Sequence, residues 1–551
     1  MPDPTVRRDS MFPKLDAAQI ARLTPFGRRR SAAAGEVLFD QGDSLRGFFV
    51  LIDGSLEIVT PTCEGETPIT VHDGGEFTGE VDMLSGRRSL VRGRARTASQ
   101  LLEIDRASLL RIVQTDAELG EIFLRAFLLR RAALIAHTSG DVLLVGSSHS
   151  ADTLRLKGFL TRNGHPHAYL DVDRDSGVQE LLDHFEIRIE DIPFVICRGK
   201  RALRNPSNAE VAACLGFNPQ IEEGTVHDLI VVGAGPAGLA AAVYAASEGL
   251  GVLVLESSAP GGQAGSSSRI ENYLGFPTGI SGEDLASRAF VQAEKFGASV
   301  AIAQVAAHLL CESRPFTVEC TGGDRVQGRA ILVATGAEYR KLPLSNLAQF
   351  EGAGIYYGAT HVEANLCQGE EVAIVGGGNS AGQAAVFLSG RARHVHLLVR
   401  AGSLAQSMSR YLIRRIEEIP AITLRTHTQI VALEGNGRLE HLTWRDAQTD
   451  ASEKHDIRHL FSMTGASPNT AWLRGCLALD GKNFIKTGAD LLPEELADAH
   501  WPLHRAPYLF ETSRPGVFAV GDVRASSVKR VAAAVGEGSV AVQLIHKALA
   551  E

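Results

Sequence analysis

Over the first 138 residues, apolar and polar positions alternate in short runs. GEVLFDQGD, GFFVLIDGSLEIVT and LLEID are each punctuated by glycine or aspartate. This pattern predicts short strands joined by tight turns. From Arg106 to His137 the period lengthens to that of a helix, and arginines interrupt FLRAFLLRRAALIAH. That stretch reads as an amphipathic helix and not as a membrane span. A small β-roll with terminal helices is expected.

A second pattern begins at DVLLVGSS. Strand, helix (ADTLRLKGFLTRNG), strand (HAYLDV) and helix (GVQELLDHF) follow one another. IPFVICRGKRAL then reads as a hairpin, and NAEVAACLG as a closing helix near residue 216. That order predicts a compact α/β unit. A third pattern, HDLIVVGAGPAGLAAAVYAASEGLGVLVLES, is an apolar strand, a glycine-rich turn, a helix and a second strand. It recurs as EVAIVGGGNSAGQAAVFLSGRARHVHLLVR, and GVFAVGDV near the end supplies a return strand. Two Rossmann-type units, one interrupting the other, are predicted, and the fold class is multidomain α/β.

Composition narrows the function classes. Hydrophobic residues make up 44% of the 551 and charged residues 22%, ordinary for packed cores. The formal net charge of −9 leaves no excess of cations to neutralise phosphates, which argues against nucleic acid as the main partner. The seven cysteines (Cys63, Cys197, Cys214, Cys311, Cys320, Cys367 and Cys476) contain no C-x-x-C pair, and a secreted disulfide framework is not expected. No apolar leader follows the N-terminus, so a cytoplasmic location is expected. No metal site is expected.

The glycine loops carry the chemistry. In GAGPAG, Gly233 allows the tight turn and Gly235, followed by Pro236, lets a pyrophosphate approach the backbone. Gly238 lets helix and strand pack closely, and Glu256, ending the next strand, is placed to accept from ribose hydroxyls. In GGGNSAG, Gly376, Gly378 and Ala381 fit the G-x-G-x-x-A variant, with Asn379 and Ser380 between them. The strand after it ends in Arg400 where an acid would select NAD, so NADPH is favoured over NADH. Two dinucleotide loops imply two dinucleotides, and FAD with NADPH is the economical pair. Gly521 and Asp522 at the return strand's end suit the ribityl or pyrophosphate region of FAD.

GAGPAG, PGGQAGSSSRIENYLGFP, VATGAEYRKLP, VGGGNSAGQAA and GVFAVGDV, in that order, resemble the bacterial low-molecular-weight thioredoxin reductases over roughly residues 225–551. The resemblance implies a split FAD domain (225–347 and 469–551), an inserted NADPH domain (348–468) and a homodimer. It places Gly262, Gln263 and Asn272 beside the flavin ring and Ala334, Thr335 and Gly336 at the FAD crossover. Asp522 with Lys529, Arg530 and Val531 falls at the ribityl and pyrimidine end. Arg400 matches the first arginine of the family's NADPH phosphate motif. Ala401 follows it where a second is usual, and Arg410 is a candidate substitute.

One departure from that family matters most. Its redox C-x-x-C falls, in this chain, on GIYYGATHVEA, with Gly358 and His361 in the cysteine positions. Neither is a thiol carrier. His361 reads either as a proton donor near the flavin or as a polar hinge residue. Cys367, the nearest cysteine, reads as a buried structural thiol.

The unit at 139–222 resembles a thioredoxin or glutaredoxin fold, with Pro193 at that fold's cis-proline position. Ser147 and Ser150 stand where its C-x-x-C would be. A Cys197–Cys214 disulfide and two free thiols both remain open. The unit at 1–138 resembles the cyclic-nucleotide-binding domain family. That resemblance implies contacts to cAMP or cGMP from Gly79, Glu80, Arg88 and Ser89, with the register between Arg87 and Arg88 open by one.

The leading expectation is an FAD-dependent NADPH oxidoreductase that passes electrons to an external acceptor. That acceptor is a ferredoxin-like or thioredoxin-like protein, a quinone or oxygen, and cyclic nucleotide acts as a possible regulator. The alternatives are a thioredoxin-disulfide reductase using cysteines not recognised in the sequence, and a flavin and cyclic-nucleotide sensor with negligible turnover.

Overall fold

In the computed structural model the described residues are 4–551, except 44–46, 63–64, 80–81, 86, 138–141, 149, 176–177, 179–181, 183–186, 189–190, 198–200, 219–223, 268, 360 and 474. Among them the side chains of 4–7, 62, 82, 85, 132, 135–137, 201 and 361–362 are also set aside. Glu80 and most of the segment GVQELLDHF therefore lie outside the described residues.

The N-terminal unit is a roll of two sheets. In one, Ser99–Ile104 pairs with both Gly27–Ala32 and Phe48–Asp53. In the other, Ser55–Thr62 lies between Gly65–Asp73 and Arg92–Ala95, which also pairs with Val37–Phe39. Phe48, Phe77, Phe123 and Phe127 close its core, with edge-on ring contacts of 5.0 Å (Phe48–Phe123) and 4.8 Å (Phe77–Phe123). The expected helical tail is two helices, Arg106–Thr115 and Ala117–His137. The break falls at Asp116, whose extended backbone ends the first helix and whose carboxylate accepts from Leu119 N–H (3.1 Å) to start the second.

The small α/β unit has strand order Arg201–Arg204, Phe194–Cys197, Val142–Gly146, His167–Asp171. The Ile192–Pro193 peptide is cis. Cys197 and Cys214 are not joined in a disulfide.

The third region holds two parallel sheets. In the first, Val226–Val232 runs between Val252–Glu256 and Arg325–Val333, and Val517–Ala519 pairs with the latter from nearly 200 residues downstream. In the second, Glu371–Val375 runs between His394–Leu398 and His459–Ser462. A two-stranded ribbon, Ala337–Tyr339 with Ala466–Pro468, carries the chain out of one unit and back. Central strands buried on both faces explain the continuous Val/Ile/Leu runs. The C-terminal helix Val531–Ala550 packs on the helix Pro236–Ser247 at close range, because a Cβ at Gly538 would run into the carbonyl of Ala237. No helix of the described residues is long and apolar enough to cross a membrane.

Candidate functional site

The first glycine loop is held from three directions. Gly233 has φ +106°, and a Cβ there would meet the carbonyl of Ala334. A Cβ at Gly238 would strike the carbonyl of Gly233, so the helix can seat on its strand only with glycine there. Gly235 is the N-cap of Pro236–Ser247 and uses no side chain to satisfy the helix's first N–H groups, which stay available to an anion. A Cβ at Gly262 (φ +54°) would sit 3.1 Å from Gly235 Cα, and one at Gly521 would sit 3.0 Å from Ala237 Cβ. The fold thus gathers Gly233, Gly235, Pro236, Gly238, Gly262, Ala334 and Gly521 around one helix N-terminus.

Glu256 is buried, and its carboxylate accepts from the N–H groups of Ala234 (2.8 Å) and Ser258 (2.8 Å). It braces the turn in addition to the ribose role that its position suggests. Thr335 and Gly336 are fixed by Asn469. The Asn469 amide donates to Thr335 O (3.0 Å), its backbone N–H donates to Gly336 O (3.1 Å), and Thr335 Oγ1 donates to Asn469 O (2.9 Å). Asp522 is half-buried, and that burial pushes its carboxyl above the usual range. Lys529 donates to Asp522 O (2.8 Å). Arg530 is the N-cap of the last helix and Val531 its first residue. Gln263 and Asn272 are both exposed.

Several functional partners escaped sequence reasoning. Glu537 accepts from Gly521 N–H (2.7 Å) and pairs with Arg524 (2.7 Å). Glu271 of IENY pairs with Arg415 (3.0 Å) and accepts from Tyr411 (3.1 Å), which ties the loop 257–277, called the flavin loop because the resemblance sets it beside the flavin, to the helix Arg410–Glu418 of the second nucleotide unit. Cys311 and Cys476, 165 residues apart, form a disulfide that the sequence did not announce.

The second loop is more open. Gly376 has φ +150°, and a Cβ there would crowd Met463 O and Ala381. A Cβ at Gly378, the N-cap of Asn379–Leu388, would have nothing within 4 Å. Asn379 accepts from Ser409 N–H (2.8 Å). Ser380 is exposed and bonded to Tyr339, whose phenol burial pushes upward. Arg400 and Arg410 are both exposed.

Between the loops, Ile355–Tyr356 is a short buried strand on Leu460–Phe461. A Cβ at Gly358 would lie 3.8 Å from Ser266 Oγ, and among the described residues it would have no other neighbour within 4 Å, so the segment lies beside the loop that carries Ser266. His361 opens the helix His361–Leu366, and its side chain lies outside the described residues. Cys367 is fully buried, its thiol donates to Glu363 O (3.3 Å), and burial pushes its pKa up to about 11. Ser150 caps the helix Ala151–Arg162, and Ser147 donates to Asp173 (2.6 Å).

In the β-roll, Gly79 and Ser89 line a cavity, whereas Arg88 does not. Arg88 is exposed, and its side chain packs over Gly216. Arg87 is buried against the rings of Phe217 (4.9 Å) and Phe290 (5.1 Å) and donates to Asn163 O (3.4 Å). Asn163 in turn donates to Ser258 O (3.1 Å), and Arg162 to Gly262 O (3.0 Å).

Comparison with known proteins agrees with this geometry. The family model described as pyridine nucleotide-disulphide oxidoreductase matches residues 227–538. The cyclic nucleotide-binding domain model matches residues 29–116. NADPH-dependent thioredoxin reductase 3 of Arabidopsis thaliana is 34% identical over 323 residues, a match spanning 57% of this chain and 57% of that protein. Thioredoxin reductase of Bacillus subtilis is 29% identical over 327 residues, 59% of this chain and 96% of that one. Among solved structures, thioredoxin reductase of T. acidophilum aligns with a TM-score of 0.52 at 25% identity, over 59% of this chain and 99% of that chain. With more than half its length matched by that family model, the chain belongs to the pyridine nucleotide-disulphide oxidoreductase family, with a cyclic-nucleotide-binding type of β-roll ahead of its thioredoxin-reductase-like nucleotide-binding region.

Proposed function

We propose that this chain takes electrons from NADPH through FAD and delivers them to an acceptor from outside the chain, with no dithiol of its own beside the flavin. The observation that carries this reading is the segment at Gly358, which lies next to Ser266 of the flavin loop and has no thiol in either cysteine position. Cys367 does not replace them, because a buried thiol with its pKa near 11 is not a thiolate at neutral pH. FAD, when bound, supplies a ring that takes two electrons from NADPH and gives them up again. The chain's own part is to bind and orient. The helix Pro236–Ser247 offers unsatisfied N–H groups to the pyrophosphate, Gly262 and Gly521 wall that end, and Asp522 with Lys529 holds the ribityl and pyrimidine end. Gly378 and Arg400 hold NADPH in the second unit.

The same reading makes the protein a cytoplasmic homodimer. Its acceptor is a ferredoxin-like or thioredoxin-like protein, a quinone or oxygen, and a small molecule bound in the β-roll, of which cyclic nucleotides are the class named by the matched domain, regulates transfer. The chain of contacts Arg87–Asn163–Ser258 supports that last step, since it runs from the cavity's loop to the flavin loop.

One observation favours a second reading, a disulfide reductase acting through Cys311–Cys476, the one joined pair among the described cysteines. Anaerobic titration with NADPH and dithionite separates the two. A flavin alone takes up about two electrons per chain, and flavin plus disulfide about four. Uptake of about four that falls to about two in C311S/C476S establishes the second reading. Uptake of about two in the parent removes the second reading, and NADPH oxidation that depends on an added acceptor then establishes the first.

A further inference from the structure

The start of the flavin loop is held by more than its own unit. Within the first nucleotide unit, Ser258 N–H donates to Glu256 (2.8 Å) and Gly261 N–H donates to Ala234 O (2.7 Å). Further bonds come from the small α/β unit. Arg162 Nη2 donates to Gly262 O (3.0 Å), and Asn163 Nδ2 donates to Ser258 O (3.1 Å). Both residues lie outside 227–538, so the family match does not account for them.

The two donors sit on a firm support. Arg162 ends the helix Ala151–Arg162, and Asn163 is its buried C-cap, whose side-chain amide also donates to Phe159 O (2.9 Å). The other end of that helix packs on the second nucleotide unit. A Cβ at Gly352 would lie 2.8 Å from Ala151 Cα, and Leu154 packs against that unit's core. A side chain on a helix pinned at both ends holds what it touches more tightly than one on a loop.

The groups they touch need such support. Gly262 has φ +54° and no side chain, so its own conformational preferences restrain it little. A Cβ there would lie 3.1 Å from Gly235 Cα, so a small displacement of Gly262 reaches the helix N-terminus that offers its N–H groups. The bond from Arg162 fixes the Gly262 carbonyl. Because the peptide is planar and trans, it also fixes the N–H of Gln263 on the opposite side. Asn163 and Glu256 hold Ser258 by its carbonyl and its N–H.

We infer that Arg162 and Asn163 are FAD-positioning residues, through which the small α/β unit shapes residues 258–262 of the cradle and helps to keep FAD bound. The inference rests on reading the first glycine loop as the FAD site. It is independent of the electron acceptor and of any ligand of the β-roll. A loop already ordered before binding costs the ligand less to bind, so loss of either bond appears as weaker FAD binding.

The test measures FAD binding by the full-length chain, without turnover. Holoprotein is dialysed against graded FAD, and release after dilution is followed by flavin fluorescence. Arg162→Ala should weaken FAD binding roughly tenfold, as for loss of a hydrogen bond from a charged donor, and Arg162→Lys, which keeps a charged donor, should recover most of that loss. Asn163→Ala should weaken binding by a similar factor with the far-ultraviolet circular dichroism unchanged. Gln114→Ala removes a different bond from a front unit to the first nucleotide unit, the one to Lys295 O (2.8 Å), and should leave FAD binding unchanged. FAD binding within about twofold of the parent in both Arg162→Ala and Asn163→Ala overturns the inference. An equal loss in Gln114→Ala, or no recovery with lysine, overturns it as well. A parent that binds no FAD overturns the reading of the first loop on which the inference rests, so the two failures are told apart.

Discussion

The two glycine-rich loops look alike in sequence and differ in how they are built. The first is walled by residues from three distant parts of the chain: Gly262, Asn469 through the crossover, and Gly521 with its brace Glu537. Its turn is also bonded internally by Glu256. The second has open space around Gly378 and an exposed Arg400 at the end of the next strand. A walled cradle suits a cofactor that stays, since the fold itself has fixed the groups that contact it. An open loop suits a reactant that must enter and leave on every turnover. On the proposed reading the same motif serves retention in one place and exchange in the other, and what surrounds it decides which.

The most damaging way to probe this difference is to add a Cβ to each loop. Gly238→Val places atoms on the carbonyl of Gly233 in a fully packed helix–strand contact. We expect loss of bound flavin and a destabilisation of about 3 kcal/mol or more, read by the flavin absorbance of the purified protein and by urea unfolding. Gly378→Ala meets nothing within 4 Å and has an ordinary φ of −93°. It should keep its flavin and stability and change only the KM for NADPH. Equal damage from both substitutions would erase the distinction between the loops.

The space between the loops offers the next largest effect. Gly358→Cys with His361→Cys installs a C-x-x-C beside Ser266. If that segment is the missing electron carrier's position, reductive titration should rise from about two to about four electrons per chain. Thioredoxin reduction would be a further gain. Uptake from NADPH unchanged at about two, in protein whose two new cysteines resist alkylation until dithiothreitol is added and so form a disulfide, would place the segment out of reach of the flavin.

How much of this was legible in the sequence follows the range of each interaction. Gly233, Gly235 and Gly238 could be read because turn, approach and packing are decided within a few residues of the motif. Asn469 and the Glu271–Arg415 pair could not, because each becomes a partner only when the chain returns from another unit, and Glu537 could not, because it reaches Gly521 and Arg524 only when the last helix folds back over the end of the return strand. The Cys311–Cys476 bridge is the extreme case, joining two positions 165 residues apart with no local spacing signal. The break at Asp116 is a middle case. Its capping carboxylate is local, but the arginine-rich helical period on either side masks it. In the β-roll, adjacent arginines were ambiguous by one residue. The fold separates them, sending Arg87 inward to Phe217 and Phe290 and leaving Arg88 at the surface.

A smaller effect tests the open loop's selectivity. Arg400 is exposed, so its attraction for a 2′-phosphate is screened by solvent, and removing it should cost about 1 kcal/mol. Arg400→Ala should raise the KM for NADPH roughly fivefold to tenfold and leave that for NADH nearly unchanged. Raising the salt concentration should shrink the difference. If both coenzymes respond equally, Arg400 is a surface cation, and Arg410 becomes the next residue to substitute.

The smallest expected effect on activity, none at neutral pH, concerns Cys367, below the segment that lacks the dithiol. Its thiol is buried in the second nucleotide unit and its pKa is raised to about 11, whereas an unfolded thiol titrates near 8.5. The folded state therefore holds its proton more tightly than the unfolded state. The resulting stabilisation is complete below pH 8.5 and is lost as pH rises towards 11. The stability of the parent protein should fall between pH 8.5 and 11 by on the order of 3 kcal/mol more than that of Cys367→Ala, read from urea midpoints at each pH. Because packing loss in the variant shifts its stability equally at every pH, the comparison rests on the slope and not on the level. NADPH-driven flavin reduction at neutral pH should be the same in both proteins. A lower flavin reduction rate in the variant would give Cys367 the electron-carrying role that its burial argues against.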